Sequence, residues 1–256
     1  GVRAEGTAAC CGDCVEITPG VCDGPDVAFR NVDLGHNAGH ACGISFDDEV
    51  VCWGDNIHGR TQAPPGSYSA VACGDHHTCA LGPNGEIDCW GADSYGQLQS
   101  ASGPFVDVTS GAYLSCARTQ AGSVTCWGDD QNGQCSDVPD IAFTQVSAGY
   151  NHVCGLAASE EVQCWGHDNS GETVCPQGAF LQVSSGNWHT CALTTSQTVV
   201  CWGCFGDNDY NQCDAPLGTF LQVASGTLHT CGIRENSEIE CWGCLGTDGS
   251  ECTPPQ

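Results

Sequence analysis

Twelve cysteines fall in six pairs, each pair ten positions apart: Cys42/Cys52, Cys79/Cys89, Cys116/Cys126, Cys154/Cys164, Cys191/Cys201 and Cys231/Cys241. Five of the first cysteines have a histidine two residues ahead: His40, His77, His152, His189 and His229. Thiols and imidazoles at fixed spacing can hold a metal, and a ring of imidazoles around a channel would be one such site. They can also be structural, the cysteines closing disulfides and each histidine filling a packed, hydrogen-bonded place. Repetition favours the second reading, because a repeat sets its equivalent residues too far apart to converge on one ion.

The elements that must position these residues are legible around them. Each second cysteine is followed by Trp-Gly, at Trp53, Trp90, Trp127, Trp165, Trp202 and Trp242, and the unit recurs after 37, 37, 38, 37 and 40 residues. Such a period marks a repeat architecture. In "HTCALGPNGEIDCWG", His77, Cys79 and Leu81 alternate onto one face, and Ile87 and Cys89 return on it. That is strand periodicity. Pro83-Asn84-Gly85 supplies a three-residue hairpin loop that sets Cys79 opposite Cys89. Facing Cβ atoms of a non-hydrogen-bonded pair lie ~4.5–5.5 Å apart, close to disulfide reach. The repeated cysteines are therefore expected to staple each hairpin.

Two further columns point the same way. The residue after the first cysteine is always small (Gly43, Ala80, Ala117, Gly155, Ala192, Gly232), which predicts a neighbouring layer pressed against it. Two residues before the second cysteine stands Val or Ile (Val50, Ile87, Val124, Val162, Val199, Ile239), as a core strand requires. A further strand precedes each hairpin, as in "FLQVSSG", and a polar loop with a last short segment follows, as in "GDDQNGQC". Short strands repeated every ~37 residues predict an all-β propeller rather than a sandwich. The tryptophans are expected in the core or between blades.

The totals bound the setting. The chain of 256 residues has 23 cysteines and no methionine, a density that suits an oxidising, extracellular compartment. Five arginines and no lysine stand against 31 acidic residues, for a net charge of −26. Such a surface repels nucleic acid and anionic membranes and suits cationic partners. No apolar run is long enough to span a membrane, and there is no N-x-[ST] sequon. The opening "GVRAEG" reads as that of a mature product whose leader has been removed.

The pattern V-S-A-G-x-x-H-x-C-[GA]-L … V-x-C-W-G-x-N-x-x-G-Q resembles the repeat of the regulator of chromosome condensation family. Its cysteine-bearing form is similar to repeats of secreted bacterial proteins and of Crinkly-type receptor ectodomains. The resemblance implies a propeller from residue 29 to 256 and a structural role for the histidines. It does not imply one activity, since members of the family act as exchange factors, sensors, inhibitors and receptors. The best-known members have seven blades; six repeats are expected here (29–66, 67–103, 104–140, 141–177, 178–217, 218–256), with a seven-bladed ring as the alternative and 1–28 as a cysteine-rich arm. Leu114 and Arg118 depart from the consensus in the third repeat.

Eleven cysteines lie outside the staples. Cys204 with Cys213, and Cys244 with Cys252, read as local pairs. Cys10, Cys11, Cys14, Cys22, Cys73, Cys135 and Cys175 remain, an odd number that predicts a free thiol or a bond to another chain. Cys135 and Cys175 are aligned here with Cys213 and Cys252. The C-x₂-C within "CCGDC" is expected to form disulfides rather than a zinc site, and the acidic loops 166–172 and 206–211 to be solvated rather than calcium sites. No nucleophile elbow, phosphate loop or H-E-x-x-H is present. The expectation is an extracellular, non-catalytic structural or interaction propeller without a cofactor. It would bind a protein or copies of itself, polymerising through the arm and surplus cysteines. A carbohydrate-binding or adhesive propeller using Tyr95, Tyr113, Trp188 and Tyr210 is one alternative. A protein inhibitor or receptor-type binding module is another.

Overall fold

The computed structural model describes residues 27–35, 39–204 and 209–243. Cys10, Cys11, Cys14, Cys22, Cys244 and Cys252, with nearly all of the expected arm, lie outside the described residues.

The chain is a six-bladed β-propeller of six three-stranded antiparallel sheets. The first holds β1 (Phe29–Leu34), β2 (His40–Ser45) and β3 (Val50–Gly54); the second β4 (Ala70–Cys73), β5 (His77–Leu81) and β6 (Ile87–Gly91). The third holds β7 (Phe105–Ser110), β8 (Leu114–Thr119) and β9 (Val124–Gly128); the fourth β10 (Phe143–Ala148), β11 (His152–Ala157) and β12 (Val162–Gly166). The fifth holds β13 (Phe180–Ser185), β14 (Thr190–Thr194) and β15 (Val199–Trp202); the sixth β16 (Phe220–Ser225), β17 (Thr230–Arg234) and β18 (Ile239–Trp242). The last short segment of each repeat forms no fourth strand among the described residues. It remains a loop because its backbone N–H groups are capped by side chains, as when Leu98, Cys135 and Thr173 donate to Asp93, Asp130 and Asp168.

Alternation, broken by a register shift between Phe143 and Gln145, sets what β10 buries. In β10 the ring of Phe143 and the side chain of Val146 turn inward while Thr144 faces out. Between sheets these residues meet the hairpin of the preceding blade. Leu114, Cys116, Val124 and Cys126 of the third sheet pack with Phe143, Val146 and Trp165 of the fourth. The described residues form five such inter-sheet cores. None joins the sixth sheet to the first among the described residues, and the matching positions there are open. Val32 is 47% exposed where Val183 is 1%, and Ile239 is 44% exposed where Ile87 is 6%.

The small-residue column has a second cause beside the neighbouring layer that the sequence suggests. A Cβ on Gly43, Gly155 or Gly232 would overlap the ring of Phe29, Phe143 or Phe220, and each of those rings belongs to the first strand of the same sheet. At Ala80, Ala117 and Ala192 the column also lies in cores with residues of the preceding sheet, the neighbouring layer that the sequence predicts.

Candidate binding face

In every hairpin the paired cysteines are directly opposite: Cys42↔Cys52, Cys79↔Cys89, Cys116↔Cys126, Cys154↔Cys164, Cys191↔Cys201 and Cys231↔Cys241. All six pairs are disulfide-bonded, with Cα atoms 4.0–4.1 Å apart. The two ends of a staple share one face of the sheet, as expected, but they are not equally covered. Cys42, Cys79, Cys116, Cys154 and Cys191 are fully buried, whereas Cys52, Cys89, Cys126, Cys164, Cys201 and Cys241 are only half-buried. The cause is strand order. The first cysteine sits on the central strand of its sheet and the second on an outer strand. Cys164 lies at the margin of the core around Phe180 and Val183, and Cys201 at that of the core around Phe220 and Val223. Cys231, in the last sheet, is half-buried as well.

Cys204 and Cys213 are also bonded, with Cα atoms 6.2 Å apart. Cys73, Cys135 and Cys175 are free thiols. Cys73 is buried, its Sγ donating to the Asp33 carbonyl, and burial pushes its pKa well above the usual thiol value, so it presents nothing to another chain in this conformation. Cys135 and Cys175 are half-buried. Cys175 is not the counterpart of Cys135. The N–H that caps the loop comes from Cys135 in the third repeat and from Thr173 in the fourth, so Cys175 sits two residues further on.

The histidines bridge neighbouring blades. Nε2 of His40, His77, His152 and His189 lies 2.7–2.9 Å from the hydroxyl of Thr78, Ser115, Thr190 and Thr230 respectively. Where the third repeat has Leu114 instead, the facing residue is Val153, and both are fully buried. These imidazoles do not converge on an ion. One group of potential ligands, His40, Cys42 and Cys73, lies within 4.8 Å, but the Cys42 sulfur is bonded to Cys52 and offers no thiolate, so the donor set does not fit a metal. In the loop 166–172, Glu172 is fully buried and engages His167 Nδ1 and the Ser170 N–H, and Asp168 caps Thr173. Those carboxylates serve the turn. The loop 206–211 is only partly described.

The tryptophans close the same interfaces. Nε1 of Trp90, Trp127, Trp165, Trp202 and Trp242 donates to the carbonyl of Arg60, Gln97, Gln134, Glu172 and Gln212 in the loop of the blade before. The residue ahead of each carbonyl has positive φ, as at Gly96 (81°) and Gly133 (76°), which turns the loop back over the blade.

That same end of the propeller gathers aromatic side chains. Antiparallel register puts the turn between first and second strands, and the loop after the third, at one end of each sheet, since His152 pairs with Gly166. From these turns His76 stacks on Tyr113 at 5.0 Å, its Nε2 3.0 Å from the phenol oxygen. Tyr95 leans on Tyr113 at 5.0 Å, and Tyr113 meets Tyr150 edge-on at 6.0 Å. Tyr150 stacks on Trp188 at 4.8 Å, and His167 abuts Trp188 at 5.7 Å. Burial, then the neighbouring Tyr113 and Asp75, pushes the Tyr150 phenol up to about 12, so it stays protonated. The file crosses four blades, and Tyr95 is 44% exposed.

Of the four aromatics singled out by sequence, Tyr95, Tyr113 and Trp188 come together here, and Tyr210 lies one loop beyond the stacked file. His76, Tyr150 and His167 were missed. The signal was present: His76, Tyr113 and Trp188 share the position before the repeated His or Leu, and Tyr150 stands one place earlier. Beside the file run exposed carboxylates, one per loop, at Asp93, Asp130 and Asp168; hydrogen bonds from Cys135 and Ser136 hold Asp130 below the usual carboxylate range despite an opposing desolvation. The buried amide oxygens of Asn151 and Asn187, in the turns that carry Tyr150 and Trp188, have no hydrogen-bond donor.

A depression of about 470 Å³ at the opposite end lies between the hairpin turns of the second and third sheets, against Asn84, Pro104, Val106 and Gln120, and no titratable side chain lines it.

The regulator of chromosome condensation (RCC1) repeat matches residues 68–97, 105–134, 143–172 and 180–212. No curated protein matches the chain in sequence. Among solved structures, the ectodomain of the Physcomitrella patens receptor kinase CR4 is similar at 27% identity, with a TM-score of 0.74 over 86% of this chain and 63% of that one. This chain thus spans less than two thirds of that ectodomain. The Crinkly ectodomain of the Arabidopsis thaliana receptor kinase ACR4 is similar at 29% identity, TM-score 0.71, over 86% and 81% of the two chains. Prp20p of Saccharomyces cerevisiae, described with its binding to Gsp1p and histones, shares the fold at 16% identity and a TM-score of 0.72, over 83% and 71%.

Proposed function

The chain carries the regulator of chromosome condensation repeat in four of its six sheets, and from that ground we propose that it is an extracellular, non-catalytic binding propeller that engages a protein partner through its aromatic end. The observation that carries this reading is the stacked file from His76 to Trp188. The hydrogen bonds and disulfides that hold the fold account for the repeated His, Trp and Cys columns, but not for Tyr95, Tyr113, Tyr150 or Trp188. Large aromatic side chains grouped on one surface are the usual anchors of protein interfaces. Seven disulfides among the described residues and the likeness to two receptor ectodomains support an extracellular setting.

The test compares immobilised wild-type propeller with a Tyr113→Ala/Trp188→Ala variant of unchanged melting temperature, each exposed to the native extracellular milieu. A partner held by the first and lost from the second supports the reading. Equal capture by both removes the aromatic end from it. Association between copies is a separate branch, for which the half-buried thiols of Cys135 and Cys175 are the described candidates. A protein that migrates as a monomer on non-reducing gels, with every disulfide-linked peptide mapping within one chain, excludes covalent assembly.

A further inference from the structure

Resting on the reading of the aromatic end as a protein-binding face, we propose that its partner is a cationic segment of a protein, presenting lysine or arginine side chains to the ring faces and carboxylates of the file. Two independent features converge on that chemistry.

The first is charge. The chain has a net charge of −26 and no lysine. Every described arginine is already paired with an acid of its own chain: Arg30 with Asp48, Arg60 with Asp55, Arg118 with Asp107 and Arg234 with Glu240. Arg60, the one at the aromatic end, is 4% exposed and also donates to the Asp75 carbonyl. No described arginine is left on this face to compete for its carboxylates.

The second is the pairing of carboxylates with ring faces. Asp93, Asp130 and Asp168 each spend one oxygen on a backbone N–H within their own loop, and the groups remain exposed. Asp93 shares its loop with Tyr95, and Asp168 stands next to His167, which abuts Trp188. Aromatic faces attract cations electrostatically, Trp and Tyr well, and an adjacent carboxylate adds to that attraction.

The opposite end supplies the control. Its hairpin turns are also acidic, at Asp47, Glu160, Glu235 and Glu238, but hold no aromatic file. Attraction by charge alone would not distinguish the two ends. The experiment titrates the oxidised full chain into a fluorescent nine-residue oligolysine, an oligoarginine of equal length and a neutral oligosaccharide, followed by polarisation. Expected are saturable binding of the cationic peptides and weakening as salt is raised from about 0.05 to about 0.5 M. Tyr113→Ala or Trp188→Ala should weaken binding about tenfold, and Glu235→Gln/Glu238→Gln should leave it within about twofold. Binding lost equally through either end, or untouched by the aromatic substitutions, overturns the proposal as nonspecific attraction. Salt-independent binding of the oligosaccharide alone overturns it in favour of a sugar ligand. If no cationic peptide binds while capture of a native partner still depends on Trp188, this inference falls and the protein-binding reading stands.

Discussion

Nε2 of His152 lies 2.8 Å from Oγ1 of Thr190 across the boundary between the fourth and fifth blades. One boundary earlier the same two places hold Leu114 and Val153. The chain thus contains both solutions to one packing problem, a polar pair and an apolar pair, and does not mix them at any of the five described boundaries.

Mixing them should be costly. His152→Leu removes the imidazole's bond to the Thr190 hydroxyl, which keeps its bond to Ser185, and a lost buried hydrogen bond costs ~0.5–1.5 kcal/mol beyond the mismatch of a methyl group against the hydroxyl. At ~2–4 °C per kcal/mol for a domain of this size, the melting temperature should drop by several degrees. Adding Thr190→Val to give the Leu114/Val153 arrangement should recover at least about half of the loss, a coupling of ~1 kcal/mol. Additive single effects in urea unfolding would contradict the pairing.

Acid should weaken the fold through His77. Burial first, then the neighbouring His40 and His76, lowers its pKa from 6.5 to about 3. Above 6.5 the imidazole is neutral both folded and unfolded. Below that value the unfolded chain takes up a proton that the native state refuses, so stability falls with pH until the folded group also titrates near 3. The slope contributed is at most ~1.4 kcal/mol per pH unit. His77→Gln, which can still reach Ser115, should flatten the fall between about pH 6 and 4; an unchanged slope in urea midpoints would show that other groups carry it.

Reduction should be severe. Each ten-residue staple contributes ~2–3 kcal/mol by restricting the unfolded chain, and six of them rival the ~5–15 kcal/mol net stability of an ordinary domain. Calorimetry with and without reductant should show a large drop in melting temperature. A shift of a degree or two would mean that inter-sheet packing alone sustains the fold.

The free thiols should be slow to react. Cys135 is pushed up to about 12 by burial and by Asp130 and Asp129, and Cys175 to about 11 by burial. Near pH 8 the thiolate fractions are then on the order of 10⁻⁴ and 10⁻³. Native alkylation should label these two slowly, about tenfold faster per added pH unit, and Cys73 only after denaturation. Rapid labelling of Cys73 would show that the boundary between the first two blades opens readily.

The staples were legible in the sequence because everything they depend on is local: ten-residue spacing, a turn between, and alternation on both strands. Their unequal cover was not, because alternation gives the face of a residue but not whether its strand is central, as for Cys154, or outer, as for Cys164 and Cys201. What lies between repeats was harder to see. The hydroxyl partners Thr78, Ser115, Thr190 and Thr230 each follow a histidine or leucine of their own repeat, yet serve the histidine of the repeat before. Only comparison of one repeat with the next, including the Leu114/Val153 exception, exposes that relation. The aromatic file is hidden for the same reason, since Tyr113 and Tyr150 belong to different columns and meet only because adjacent blades converge there. The small-residue column told only part of its cause, because a single strand pattern does not tell which ring, in which sheet, presses on Gly155. Cys175 was misplaced because a two-residue offset in a loop leaves the period intact.

The indole of Trp127 lies 30 residues downstream of the Gln97 carbonyl it bonds, and the indoles of Trp90, Trp165, Trp202 and Trp242 repeat that order. The acceptor is always synthesised before its donor. A chain emerging from its N-terminus therefore meets, at each step, a finished surface waiting for the next sheet. Apart from the outer side of the first blade, where Val32 is exposed, the apolar flank open at any moment is that of the newest blade, covered once ~37 more residues arrive. A pause in synthesis or export leaves that one flank open to a neighbouring chain for as long as it lasts. The hazard of aggregation moves along the propeller with the growing end instead of spreading over the whole molecule.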